Sequence, residues 1–146
     1  MIAGLFERLL NAGTEPARPD DARLAMAALM VRLARSDGTY SGAERLQIER
    51  FLASHYDVDA PTIEGIMSEA EVQEKSAPDT VRFTRIVKDA VPYEERTDVV
   101  EALWRVAILE GIDANERTFL RLVSNLLGVS DQDSGLARQR AERAAD

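Results

Sequence analysis

Arg32-Leu-Ala-Arg-Ser-Asp-Gly-Thr-Tyr-Ser-Gly-Ala-Glu-Arg45 returns later in the chain as Arg105-Val-Ala-Ile-Leu-Glu-Gly-Ile-Asp-Ala-Asn-Glu-Arg117, one residue shorter in the loop. Arg, Ala, Gly, Glu and Arg are identical in the two copies, and Leu/Val, Asp/Glu, Tyr/Ile and Ser/Asp are chemically alike. Each copy follows an apolar stretch. From Leu24 to Ala34 only Arg32 is not apolar, and from Val99 to Leu109 only Glu101 and Arg105 interrupt. Segments that are apolar on nearly every side and this long predict helices buried all round. Gly38 and Gly111 then offer the left-handed stop that ends a helix. Ser41-x-x-Glu44 and Asp113-x-x-Glu116 offer capping boxes that open the next one. Tyr40 and Ile112 stand just before the caps, where a hydrophobic staple belongs. The repeat therefore predicts two central helices, each followed by a glycine turn and a capped helix, related by a pseudo-two-fold.

The rest of the chain has the same periodicity. Asp20 or Asp21 can cap a helix running to about Ser36, and Ser41 to about Ala53 carries Leu46, Ile48, Phe51 and Leu52. Helical spacing recurs over 61–75, 78–90 and 113–127, with Pro61 suited to a first turn and Gly128 to a stop. No run of alternating β-branched residues supports a strand. The expected fold is all-α, a single bundle of seven to eight helices. Three parts are expected: residues 1–19, an amphipathic helix and linker; 20–129, the helical domain; and 130–146, a polar tail able to add a last helix. In the first part Ile2, Leu5, Phe6, Leu9 and Leu10 form one stripe, and prolines 16 and 19 mark the linker. That stripe calls for packing on the bundle or for a homodimer through the N-terminal helix.

Composition narrows function by exclusion. The 146 residues are enough for one domain that needs no disulfide or metal staple. No cysteine is present, which removes thiol catalysis and thiolate metal sites. A single histidine removes a multi-histidine zinc site. The net charge of −8 argues against a nucleic-acid partner. The opening MIAGLFERLLNAG has no basic leader, and no apolar run approaches the roughly 20 residues of a membrane span. A cytoplasmic protein without a transmembrane segment is expected.

Two residues of the repeat are not explained by helix caps. Asp37 and Glu110 stand at helix C-termini, where the macrodipole disfavours negative charge. With Glu44, Asp113 and Glu116 nearby, they supply hard oxygen ligands of the kind Mg²⁺ or Ca²⁺ takes. The ligand run of an EF-hand is absent. A cation site at one or both turns is the expectation, with the first favoured; caps without a ligand are the alternative. His55 reads as a helix-end residue and Trp104 as core, and no motif names a catalytic residue.

The order of these motifs resembles the TerB-like (tellurite resistance protein B) family, in its short bacterial branch. The resemblance is carried by the Ser36-Asp37-Gly38 turn with Glu44, the Glu110-Gly111 turn with Glu116, and the segments Asp79 to Thr84 (DTVRFT) and Ala102 to Ala107 (ALWRVA). It implies an all-helical fold with internal symmetry, an association with tellurite and other stress resistance, acidic turns as metal sites, and no enzymatic activity. A related fold in a DnaJ-type co-chaperone implies a second reading, a protein–protein interaction domain. The second turn departs from the family pattern in Leu109, in Glu110 and in its length, so the first turn is the stronger metal candidate.

Overall fold

The computed structural model describes residues 19–36, 38–77, 79–109 and 111–145. Seven helices account for nearly all of them: α1 (Pro19–Arg35), α2 (Gly42–Tyr56), α3 (Ala60–Ser76), α4 (Val81–Ala90), α5 (Tyr93–Ile108), α6 (Ala114–Leu126) and α7 (Asp131–Ala145). No strand occurs among the described residues. The expected stripe of residues 2–10 lies outside them. No helix among the described residues is long and apolar enough to cross a membrane.

The two apolar stretches are the centre of the molecule. Every residue of α1 from Leu24 to Ala34 is buried except Arg32, and α1 packs against α2, α3, α4, α5 and α6. Only a helix surrounded by others can bury all its faces, and small alanines at 25, 27, 28 and 34 let those neighbours approach. Burying a leucine or methionine contributes about 1.5–3 kcal/mol, so Met26, Leu29, Met30 and Leu33, none of them exposed, dominate the core. The other central helix, α5, touches α1 and buries Val99, Val100, Leu103, Trp104, Val106 and Ala107.

Each central helix carries a capped helix and then a third helix that returns along it. In the first half α3 packs extensively on α1; in the second, α7 packs extensively on α5. Residues 131–145 are thus helical over their described length. A small-residue row, Ser134, Ala137 and Ala141, is the face they bury. The Trp104 Nε1–H donates to Ser134 Oγ at 3.2 Å, and Ser134 Oγ lies 3.3 Å from Ser124 Oγ on α6. That chain satisfies the polar end of the largest side chain in the core and joins three helices.

Helix bounds differ from the sequence reading mainly at α4, which begins at Val81 rather than at 78. Its first turn is held by the Asp79 carboxylate, which accepts from the Val81 N–H at 3.1 Å.

Candidate functional site

Both repeated turns are built as their sequences dictate. Gly38 and Gly111 take φ of +89° and +83°, the left-handed region that costs an L-residue strain. Their N–H groups donate back to Arg35 O at 3.0 Å and Ile108 O at 3.2 Å, closing the ends of α1 and α5. Ser41 and Asp113 then adopt extended backbone at the N-caps of α2 and α6. The Glu44 N–H donates to Ser41 Oγ at 3.1 Å, and Glu44 Oε1 accepts from the Ser41 N–H at 2.9 Å. The second box repeats the pattern: the Glu116 N–H donates to Asp113 Oδ1 at 2.7 Å, and Glu116 Oε1 accepts from the Asp113 N–H at 3.2 Å.

These contacts locate three of the five residues singled out as cation ligands. Glu44 and Glu116 are buried, at 1% and 2% exposure, and each has a carboxylate oxygen engaged in its box. Asp113 and Glu116 are brought together as cap partners, whereas Glu44 sits with Ser41 in the other turn. Asp37 and Glu110 lie outside the described residues. No group of three or more histidine or acidic side chains able to hold a metal ion forms among the described residues.

The hydrophobic staple is the correction at both turns, where the residue four past the cap is an arginine, Arg45 or Arg117. At the first turn Arg45 leaves Tyr40 without an apolar partner in that position. Instead both side chains meet on one carboxylate of α3. Tyr40 Oη donates to Glu71 Oε2 at 2.6 Å, and Arg45 Nε donates to the same oxygen at 3.0 Å. Arg45 also reaches Glu49 at 2.9 Å and Glu64 at 3.2 Å. Tyr40 and the equivalent Ile112 of the second turn both pack on the core, but at the second turn Arg117 is exposed.

A larger network, absent from the sequence reading, anchors the C-terminal turn of α1 to α3. Arg32 Nε donates to Glu74 Oε2 at 3.1 Å, and its terminal nitrogens donate to Glu74 O at 2.9 Å, Ala77 O at 2.8 Å and Thr80 Oγ1 at 3.2 Å. Arg35 Nη1 donates to Glu74 Oε1 at 2.5 Å. The visible signal was an acid row at 64, 71 and 74 on α3, one helix face presented to three arginines of the repeat.

The electrostatics follow from these contacts. Burial pushes Glu71 up, but hydrogen bonds from Arg45 and Tyr40 outweigh it and hold the carboxyl below its ordinary range. Hydrogen bonds from Arg45 and Ser68 lower Glu64. Burial, then the Glu71 carboxylate, raises the Tyr40 hydroxyl well above the ordinary phenol value. At the far end of α2, burial pushes Tyr56 up to about 12. His55, beside it, is stacked on Phe51 with ring centroids 5.0 Å apart, a helix-end position as expected.

No curated protein and no solved structure matches the chain. The sequence model of tellurite resistance protein TerB matches residues 23–139, from the first turn of α1 to the middle of α7. That span includes most of α1, all of α5, both capped turns, the returning helix α3 and the first half of α7. The chain therefore belongs to the TerB family.

Proposed function

We propose that this chain is a non-catalytic, cytoplasmic stress-response module of the tellurite-resistance type, and that its first interhelical turn takes Mg²⁺ or Ca²⁺. Family membership supports a tellurite-resistance-type helical domain. The observation that carries the cation reading is the burial of Glu44 and Glu116 at two turns that each follow an acid in sequence. Hard carboxylate oxygens on a glycine turn are the donors that these two ions accept. Asp37 and Glu44, with backbone carbonyl oxygens, would hold the ion at the first turn; Glu110, Asp113 and Glu116 would form the weaker second site. We assign the whole of α1–α7 to one domain, with α1–α3 and α5–α7 related by a pseudo-two-fold.

A second reading is favoured by one specific observation. Each buried glutamate already has an oxygen engaged in its capping box, which fits an interaction domain of the co-chaperone kind whose acids are caps alone. Thermal melts separate the two. Wild type, Asp37→Asn and Glu110→Gln are compared with chelator and with millimolar divalent ion at matched ionic strength. Under the cation reading wild type gains stability, about 2.7 kcal/mol at 100 times the dissociation constant. Glu110→Gln keeps most of the gain, and Asp37→Asn loses it. Equal gains in wild type and Asp37→Asn leave the caps-only reading.

A further inference from the structure

We propose that the hollow between α2 and α5 binds a small zwitterion of the α-amino acid class with an apolar side chain, its carboxylate on Arg50 and its ammonium on Asp98. The hollow has a volume of about 470 Å³, the size of a small-molecule site, and lies between two helices of the bundle, where such sites form. Its lining is mostly polar, and the chemistry of that lining selects the ligand.

First is the arrangement of the walls. Gln47, Arg50 and His55 line it from α2, and Asp98 and Arg105 from α5, at spacings that put each set on one helix face. Tyr56, at the end of α2, feels the charge of Glu95 near the start of α5. Gln47 and Arg105 share a second hollow with Ile108 and Leu109. The two helices therefore run in opposite directions, with His55 at the Asp98 end and Gln47 at the Arg105 end.

Second is which charges are already engaged. Glu101 accepts from Arg105 at 2.7 Å through one oxygen and from Arg140 at 2.6 Å through the other. Arg50 and Asp98 make no ion pair or side-chain hydrogen bond among the described residues, with each other or with a neighbour. One cation and one anion thus face a single hollow from opposite walls without meeting. A ligand with one charge of each sign satisfies both, whereas a dianion or a dication is repelled by one wall. The planar fork of arginine matches a carboxylate with two parallel hydrogen bonds, and a carboxylate accepts from a primary ammonium. Gln47 and His55 add hydrogen-bonding groups on the Arg50 side.

Third is the floor. Phe51 stacks on His55 with ring centroids 5.0 Å apart and planes 21° apart, and Ala102 is buried and small. A flat apolar surface beside a small residue suits an aromatic side chain. None of the acids of the two interhelical turns belongs to this site, so it stands or falls apart from the cation reading.

Titration of the full chain with L-phenylalanine, followed by amide spectra, tests the proposal. The expected result is saturable shifts confined to 47–55 and 98–105, with a dissociation constant on the order of 1 mM, because exposed charge contacts are individually weak. Glycine, N-acetyl-L-phenylalanine and L-phenylalaninamide lack the ring, the ammonium charge and the carboxylate in turn, and each should bind about five- to tenfold more weakly. Arg50→Gln and Asp98→Asn, both at exposed positions, should keep the wild-type urea midpoint and lose affinity for L-phenylalanine by a similar factor. Crossing the two sets reads the pairing. Asp98→Asn should leave the affinity for the N-acetyl compound unchanged, and Arg50→Gln that for the amide. No saturable shift in these segments, shifts centred on other helices, or any of the three compounds binding as well as L-phenylalanine would overturn the proposal. So would either variant binding L-phenylalanine as tightly as wild type.

Discussion

At the first turn Arg45 follows the cap and grips Glu71, Glu49 and Glu64, while Arg32 and Arg35 close on Glu74. At the second turn Arg117 is exposed, and Arg105, the counterpart of Arg32, pairs among the described residues only with Glu101 on its own helix, at 2.7 Å. The returning helices explain the contrast. In the first half the cations stand on the central helix and the acids on α3. In the second the signs are exchanged, with Glu101 on α5 and Arg140 on α7 at 2.6 Å, and Arg138 stacked 5.0 Å over the Trp104 ring. The same glycine, cap and buried glutamate thus sit in one turn tied by its arginines to α3 and in another that rests on apolar packing. A repeat preserves the local turn while its surroundings diverge.

The largest expected effect is at the matched arginines. Arg32→Ala removes charged hydrogen bonds from a carboxylate and two carbonyl oxygens in a site where Arg32 and Glu74 side chains are 17% and 11% exposed. The loss should be about 2–3 kcal/mol, as for charge-assisted bonds with little access to water. Arg105, 41% exposed and paired within its own helix, should cost under about 0.5 kcal/mol as Arg105→Ala. Urea unfolding of both variants checks this, and equal losses would mean that α3 is not what secures the first turn.

Next come the shared caps, where the two turns should behave alike. Ser41→Ala and Asp113→Ala each remove the acceptor for a glutamate N–H and should cost about 1 kcal/mol. Gly38→Ala and Gly111→Ala meet no atom within 4 Å, so strain at positive φ alone should cost about 1 kcal/mol at both sites. A large cost at one turn with none at the other would break the equivalence.

Caps, glycine stops and central helices were legible because each is written within a few residues. Ser41 and Glu44 are three apart, and the apolar run of α1 is continuous. The anchoring of the first turn was not legible in that way, because Arg32 and Glu74 are 42 residues apart. Only the packing of α3 on α1 decides that they meet. Tyr40 shows the same limit: its place before the cap was clear, but a polar N4 partner and a distant carboxylate turned an expected apolar clasp into a hydrogen-bonded one. The burial of α7 was readable only as a row of small residues, whose value depends on what approaches them. Of the acids at the turns, the sequence supplies identity and spacing, while Glu44 and Glu116 acquire their chemical character from burial.

The smallest effect separates the turns by pH. Glu71 has a folded-state pKa held below its ordinary value, so its contribution is present above that ordinary value, near 4.5. It is lost as pH falls from there through the lowered folded value. Tyr40 supplies part of the lowering through its hydroxyl, so Tyr40→Phe should destabilise by about 1 kcal/mol at pH 7, a hydrogen bond to a charge discounted for partial exposure. That deficit should shrink as the carboxyl protonates, because the protonated acid no longer draws a charge-assisted bond from the phenol. Tyr40 itself stays protonated throughout, since its own value is raised. The matched variant, Ile112→Val, changes only apolar packing at a half-buried side chain and should cost about 0.5 kcal/mol or less without this pH dependence. Urea melts of wild type and both variants at pH 7 and at steps below 4.5 make the measurement. A Tyr40→Phe deficit that is as large in acid as at pH 7 would show that the hydroxyl stabilises the first turn independently of the charge on Glu71.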